Sequence, residues 1–200
     1  MTGEYWNMAT GDHRLRGFGA RRTKRLCLRA HNAGDASRLA ELLGDLAVAG
    51  NLARVPHPYS LLDAHDWLAR LPTDPEPQEA TFAIAIEGEG LIGAVGFRAE
   101  SVGTVIGYWL GRPYWGQGYA KEAVIAALEW HFAVTGASRI GSGAFVHNAA
   151  SLAIQHKLGF VETGRGPVHC RARGEEIEHI NTELTRPAFE LATRCTKSGR

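Results

Sequence analysis

The segment of this sequence best suited to chemistry runs from Gly107 to Ala123. It is typical of a strand, a turn containing glycines, and a helix that begins near Gly118. The start of a helix carries peptide N–H groups without partners and a partial positive charge, which suits an anion such as a diphosphate. Gly116 and Gly118 lack side chains, so an anion can approach the backbone closely. The segment therefore predicts an anion-binding turn.

Three classes of ligand, and a tight turn without a ligand, compete for this segment. A nucleoside triphosphate loop needs Lys-Ser or Lys-Thr after its glycines, and neither follows Gly118. A dinucleotide turn needs a third glycine where Lys121 stands, and it follows a parallel strand, whereas the strands before this turn are predicted to be antiparallel. Coenzyme A is the third class. On this segment alone, coenzyme A and an empty turn both stay open.

A second block, from Arg139 to Gly164, adds side chains that could act on a ligand. Asn148 stands where a helix is predicted to begin, and as an N-cap it would contribute about 1 kcal/mol. Ser151 follows in the first turn of that helix. Its hydroxyl either is an ordinary polar group or faces a bound molecule.

The two blocks together resemble the GNAT N-acetyltransferase superfamily, and specifically its RimJ/RimL-like branch. Residues Pro113–Ala123 match the pattern P-x-W-G-x-G-Y-A-x-E-A of that branch. Asn148, Ser151 and Lys157–Phe160 match its N-x-x-S followed by K-L-G-F. The resemblance covers roughly residues 23–186. It departs from the wider superfamily at Pro113, where Gln or Arg is usual.

The resemblance implies an α/β (α+β) fold. Its mixed and mostly antiparallel sheet would splay between the fourth and fifth strands and would be flanked by about four helices. It further implies acetyl-CoA as cosubstrate and no metal, with the pantetheine arm in the gap and the pyrophosphate on the turn. The residues expected to contact the cosubstrate are Trp109, Leu110, Gly111, Tyr114, Trp115, Gly116, Gln117, Gly118, Tyr119, Ala120 and Asn148.

The implied chemistry is attack of an amine on a thioester. By resemblance, the Ser151 hydroxyl lies near the cofactor sulfur and donates a proton or a hydrogen bond to the departing thiolate. The central strands, 103–110 and 139–146, contain no carboxylate, so the glutamate that many GNAT enzymes hold there is absent. His169 and Glu178 are the candidate catalytic bases, and water is the alternative proton acceptor.

The expected function is transfer of an acetyl group to a primary amine, on a protein N-terminus or a small molecule, by direct attack in a ternary complex. An antibiotic-modifying acetyltransferase is an alternative within the class. A non-catalytic acyl-CoA-binding regulatory module is the alternative from another class. The expected partner is a small-molecule or peptide amine, with no nucleic acid and no membrane, and the chain is expected to be a monomer or a homodimer.

The elements that position these residues follow from hydrophobic periodicity. Alternation predicts central strands at 24–30, 81–87, 91–98, 103–110 and 139–146, and closing strands at 160–164 and 176–184. Helical periodicity predicts four helices, after Asp35, over 60–71, from Gly116 and over 148–158. The prediction is therefore mixed α/β.

Length and composition set the outer limits. The 200 residues, 44% of them hydrophobic, suit one domain, which we place at 23–190 between a flexible basic arm (1–22) and a C-terminal tail (191–200). The net charge of +1 gives no reason to expect nucleic acid. No run approaches the roughly 20 apolar residues of a membrane span. Three scattered cysteines exclude a disulfide framework and favour a cytoplasmic location.

Overall fold

The computed structural model describes residues 19–101 and 103–197, which form one eight-stranded sheet and six α-helices. The strands are β1 (Arg21–Arg22), β2 (Cys27–Arg29), β3 (Thr81–Ile86), β4 (Gly90–Glu100), β5 (Gly103–Leu110), β6 (Arg139–Phe145), β7 (Val161–Cys170) and β8 (Glu175–Thr185). The helices are α1 (Ala36–Leu43), α2 (Leu46–Ala49), α3 (Leu61–Arg70), α4 (Tyr119–Thr135), α5 (Ala149–Lys157) and α6 (Arg186–Lys197).

The sheet has the strand order β1-β2-β3-β4-β5-β6-β8-β7. Neighbouring strands are antiparallel except β5 and β6, which run parallel. Between those two strands one pair, Val105 with Gly141, is in register, whereas β4 and β5 pair from Glu100 with Gly103 to Gly93 with Leu110. The prediction of a mixed, mostly antiparallel sheet that splays between its fourth and fifth predicted strands is thus confirmed.

The core lies between the sheet and helices α1 and α4, both of which contact β4. Helix α4 is apolar over much of its surface, and Trp130 lies edge-on to Phe82 of β3, 5.0 Å between ring centroids. Helix α3 begins with a capping box, since Ser60 Oγ accepts from the Asp63 N–H and the Asp63 carboxylate accepts from the Ser60 N–H. Helix α3 packs against α1, so α1, α3 and α4 surround the central strands.

Three sequence-based expectations differ from the structure. The described residues form six α-helices rather than about four, because the short α2 and the C-terminal α6 were not predicted. The tail expected over 191–200 is helical as far as Lys197, since Phe189 of α6 is buried against Phe132 of α4, with 5.6 Å between ring centroids. Strand β7 is longer than predicted because Pro167 lies on the edge strand of the sheet, where a missing N–H is tolerated.

The N-terminal boundary also differs. The arm expected over 1–22 includes Arg21 and Arg22, which form β1 and pair with Leu28 and Cys27 of β2. Thr23 closes this hairpin, because its N–H donates to the Leu26 carbonyl at 2.9 Å. Residues 1–18 of that arm lie outside the described residues. Among the described helices, none is both long and apolar enough to cross a membrane.

Candidate active site

A cleft opens where β5 and β6 separate. Beyond the Val105–Gly141 pair, Ser142 Oγ donates to the Ile106 carbonyl at 3.0 Å, and this is where contact between the strands ends. The cleft that follows has a volume of about 520 Å³ and is lined by both strands. A Cβ added at Gly107 would meet no atom within 4 Å, so the β5 wall is open at that residue.

Peptide groups alternate in direction along β5, so only every second residue directs its N–H and carbonyl into this gap. The Gly111 N–H donates to the Ile92 carbonyl of β4 at 2.9 Å, so Gly111 and Trp109 direct their peptide groups toward β4. Tyr108 and Leu110 therefore direct theirs into the gap. The Leu110 carbonyl already accepts from the Trp115 indole N–H at 2.7 Å. The groups left for an added strand are those of Tyr108 and the N–H of Leu110. Among the predicted contacts Trp109, Leu110 and Gly111, Leu110 is thus the one with a free peptide group in the gap.

The turn before α4 has the backbone that the sequence predicts. Gly116 and Gly118 both have positive φ, +74° and +80°, which favours glycine. Gly118 is the N-cap of α4 and no side chain caps the helix there. Because α4 begins at Tyr119, the N–H groups of its first turn have no carbonyl partner within the helix. The turn therefore offers an open row of N–H groups and the positive end of a helix of 17 residues.

A cation stands beside this turn. Arg25 of the β1–β2 connection donates from Nη1 to the Gln117 carbonyl at 2.9 Å, and its guanidinium lies 4.5 Å from the Tyr119 ring centroid. Glu122 fixes it there by accepting from Nε at 2.7 Å, and it also accepts from Thr23 Oγ1 at 2.6 Å. Burial raises the pKa of the Glu122 carboxyl, but the hydrogen bonds from Thr23 and Arg25 together hold it below its usual range. Arg112 is instead paired with Asp45 at 2.8 Å.

The other residues of the turn that were predicted to contact the cosubstrate differ in how exposed their side chains are. Tyr114 is buried, with its hydroxyl accepting from Arg38 Nη2 at 2.5 Å and its N–H donating to the Gly111 carbonyl at 3.0 Å, so neither group is free for a ligand. Trp115 is 44% exposed despite its indole hydrogen bond. Gln117 Nε2 donates to the Pro113 carbonyl at 2.9 Å, which braces the loop. Ala120 is half-buried. The turn thus presents backbone rather than functional side chains.

Ser151 lies at the gap, in the first turn of α5. Asn148 caps that helix, with Oδ1 accepting from the Ser151 N–H at 3.1 Å. Gln155 Nε2 donates to Ser151 Oγ at 3.2 Å and to the Gly143 carbonyl at 3.2 Å. The amide is oriented by Thr182, whose hydroxyl donates to Gln155 Oε1 at 2.6 Å. Because Ser151 Oγ accepts from Gln155, its own proton points either to the Tyr108 hydroxyl oxygen, 3.0 Å away, or to a group in the gap.

Tyr108 is a site residue that the sequence reasoning missed. Its hydroxyl donates to the Ser151 carbonyl at 3.2 Å and lies 3.0 Å from Ser151 Oγ, which joins β5 to α5 across the gap. Burial raises the pKa of the Tyr108 phenol despite the hydrogen bonds from Ser151 and Gln155, so the hydroxyl stays protonated at neutral pH. Its place in the strand, directly before the predicted Trp109–Gly111 span, was the available signal.

The two predicted bases do not reach the cleft. His169 is exposed on β7 and lies 3.3 Å from Glu176, its cross-strand partner. Glu178 is exposed on β8, with its carboxylate 3.6 Å from Arg165. Side chains alternate along a strand, so His169 lies opposite the cleft-lining Val168, and Glu178 opposite the cleft-lining His179. His169 and Glu178 are each the sequence neighbour of a residue whose side chain does line the cleft.

His179 is the titratable group that the structure brings to this wall. Its Nδ1 lies 2.9 Å from Asn181 Oδ1, and a bond from Nδ1–H to that oxygen leaves Nε2 as the basic nitrogen. Burial lowers the pKa of the imidazole, against weaker opposing effects of Asn181 and Glu100. The ring lies over Gly143, where an added Cβ would overlap it. In the described part of the chain, no cluster of His, Cys, Asp or Glu could hold a metal ion.

Comparison with known proteins assigns this fold and cleft to a class. Residues 25–161 match the acetyltransferase (GNAT) domain family, and the chain belongs to it. It is thus an acetyl-CoA-dependent acetyltransferase.

Individual relatives agree with that assignment. An uncharacterized N-acetyltransferase p20 of Bacillus licheniformis is 29% identical over 161 residues, 78% of this chain and 90% of the relative. Mycobacterium smegmatis RimJ in complex with CoA-disulfide superposes with a TM-score of 0.73 at 20% identity, over 88% of this chain and 90% of that one. Spermidine N-acetyltransferase from Vibrio cholerae, in complex with CoA and spermine, superposes with a TM-score of 0.70 at 19% identity, over 84% of this chain and 99% of that one. The two structures establish similarity of fold.

Proposed function

We propose that this protein transfers the acetyl group of acetyl-CoA to a primary amine, on a protein N-terminus or a small molecule, by direct attack within a ternary complex. The observation that carries the proposal is the gap between β5 and β6, with the Ser151 hydroxyl at its side and the turn of Gly116 and Gly118 near its end. The motifs shared with the RimJ/RimL-like branch support placing the enzyme there. A cytoplasmic location stays a prediction.

The residues present fit the cosubstrate. Coenzyme A carries a diphosphate and an extended arm with two amides. The positive-φ turn at Gly116 and Gly118 suits the diphosphate because its N–H groups are open and no Cβ intervenes. The free peptide groups of Tyr108 and Leu110 suit an arm that adds to β5 as a strand would. The thioester would then lie near Ser151 and the side chain of Tyr108.

Two proton movements accompany the reaction. The amine nitrogen bonds to the acetyl carbon while the carbon–sulfur bond breaks, so one proton leaves the nitrogen and the sulfur departs as thiolate. Ser151 Oγ, held by Gln155 and Tyr108, donates its proton to that sulfur and takes one back from solvent, so the serine is unchanged after the reaction. We assign the amine proton to His179 Nε2 rather than to His169 or Glu178, because His179 lines the cleft. A lowered pKa leaves His179 neutral and able to accept at pH 7.

The test is release of free thiol from acetyl-CoA with a panel of amines: peptides with free N-termini, small primary amines and aminoglycosides. We expect thiol release that depends on the amine, with matching acetylation of that amine in the mass spectrum. Binding of acetyl-CoA without thiol release from any amine would contradict catalysis and favour a regulatory module. Acetylation restricted to aminoglycosides would place the enzyme among antibiotic-modifying acetyltransferases.

A further inference from the structure

The half of the cleft away from the α4 turn has its own walls. They come from the α2–α3 connection, from Trp67 of α3, from the C-terminal end of β4 and from the middle of β8. The charged and titratable side chains that line it are Arg54, Arg98, Glu100 and His179. Two guanidinium groups therefore stand against one carboxylate, which gives this half an excess of positive charge.

Of the two guanidinium groups in this set, one forms an ion pair within the set and the other, that of Arg54, does not. Arg98 and Glu100 form an ion pair on β4 and compensate each other. No carboxylate of the described residues lies within ion-pair distance of Arg54. Burial and the neighbouring Arg98 lower the pKa of the Arg54 guanidinium, and Glu100 offsets this more weakly. An anion bound beside Arg54 would therefore be attracted, whereas a polycation would be repelled.

The backbone around Arg54 is held in place. The Ala53 carbonyl accepts from the Arg171 N–H at 2.9 Å, and the Gly50 carbonyl accepts from Arg173 Nε at 3.0 Å. These bonds attach the α2–α3 connection to the residues that follow β7. The Arg54 side chain is exposed to solvent, so a carboxylate can reach its guanidinium and accept two parallel hydrogen bonds from it.

We propose that the acceptor is an amine with an acidic side chain close to its amino group, in addition to any α-carboxylate, and that Arg54 binds this side-chain carboxylate and so determines acceptor choice. The inference rests on the proposed acetyl transfer and names its substrate class. It sets this protein apart from a polyamine acetyltransferase, whose acceptor is cationic along its whole length. Free acidic amino acids and peptides with an acidic residue next to the N-terminus both present this chemistry.

The experiment compares acceptors that differ only in one carboxylate. Glutamate is paired with glutamine, and a peptide beginning Ala-Glu with one beginning Ala-Gln; spermidine completes the set, at fixed acetyl-CoA. We expect kcat/KM about tenfold higher for the acidic member of at least one pair, as charge-assisted hydrogen bonds give. A preference in the peptide pair alone identifies peptide acceptors, and one in the amino-acid pair alone identifies small molecules.

Variants test the role of Arg54 itself. R54Q should lower kcat/KM for the acidic member about tenfold, to the level of the neutral member, because one charge pair is lost. R54K should keep part of the preference, and R54E should reverse it. R70Q, which alters an exposed arginine of α3 outside the cleft lining, is the matched control and should change nothing.

The possible failures are distinguishable. Equal rates for both members of each pair, a preference for spermidine, or a preference that survives R54Q would overturn the inference and leave acetyl transfer intact. Thiol release with none of these acceptors or those of the wider panel would instead overturn the proposed function.

Discussion

The two halves of the cleft differ in the groups that they present to a ligand, backbone in one half and side chains in the other. On the β5 side, the half next to α4 is formed by one continuous segment, from Tyr108 to the first turn of α4, and it presents peptide N–H groups. The other half is formed by side chains from α3, β4, β8 and the α2–α3 connection, which lie far apart in the sequence. The first half can therefore keep its ligand while side chains change, whereas single substitutions in the second half can change the acceptor.

Among the substitutions that test this difference between the halves, the largest loss of activity is expected at Ser151, where the two halves meet. S151A should lower kcat about 100-fold, in the range of a lost proton donor, while the affinity for acetyl-CoA stays nearly unchanged. The reason is that Ser151 Oγ faces the gap, with Gln155 and Tyr108 as partners, but lies apart from the α4 turn. Thiol release and calorimetric binding of acetyl-CoA measure the two quantities.

The matched control for this variant is S37A, which alters an exposed serine in the first turn of α1. It should leave kcat within about twofold, as surface substitutions usually do. Unchanged kcat in S151A with a good acceptor would remove Ser151 from the mechanism.

An intermediate effect is expected from the half made of backbone. G116A and G118A each place a methyl group on the surface that faces the ligand, so the Kd for acetyl-CoA should rise about 30-fold, or roughly 2 kcal/mol. Each should also lower the free energy of unfolding by about 1 kcal/mol, because alanine is strained at positive φ. Calorimetry and chemical denaturation measure the two changes.

Gly136 provides the control for strain. It ends α4 with φ +66°, and a Cβ there, like one at Gly116, would meet no atom within 4 Å. G136A should cost a similar free energy of unfolding and leave the Kd unchanged. An equal rise in Kd in G136A would mean that strain in α4, rather than the turn, controls binding.

The same contrast explains what could be predicted from the sequence. The turn at Gly116 and Gly118 follows from local rules, since glycine spacing, a preceding strand and a following helix lie within a few residues. The splay of the sheet came with the family resemblance and is confirmed by the single pair Val105–Gly141. Ser60 and Asn148 were also predictable as caps, because a cap depends on its own helix.

The acceptor half could not be predicted in this way. Whether His179 or Glu178 faces the cleft depends on the register of β8 against β6, where a shift of one residue exchanges the two faces. Arg54 lies in a connection whose position is set by hydrogen bonds to residues 171 and 173, more than a hundred positions away. Such long-range pairings leave no periodic signal in the sequence.

The smallest effect concerns the two neighbours on β8. H179N should lower kcat/KM for the acceptor about tenfold at pH 7, a modest change because an α-amine is already partly neutral there. The pH dependence is more specific. In the wild type, kcat/KM rises with pH as the amine loses its proton. Below the lowered pKa of His179, which lies under the usual 6.5, protonation of the imidazole adds a second dependence and steepens the profile.

In H179N, kcat/KM should therefore still rise with pH as the amine loses its proton, but the additional steep fall at low pH should be absent. Measurement of kcat/KM between about pH 5 and 9 with one peptide acceptor tests this. E178Q supplies the comparison within the same strand. Glu178 is exposed and pairs with Arg165 outside the cleft, so E178Q should retain the full profile. A profile that flattens in E178Q and not in H179N would reverse the assignment. It would mean that the face of β8 carrying Glu178 receives the amine, and that the acceptor half lies on the other side of the sheet.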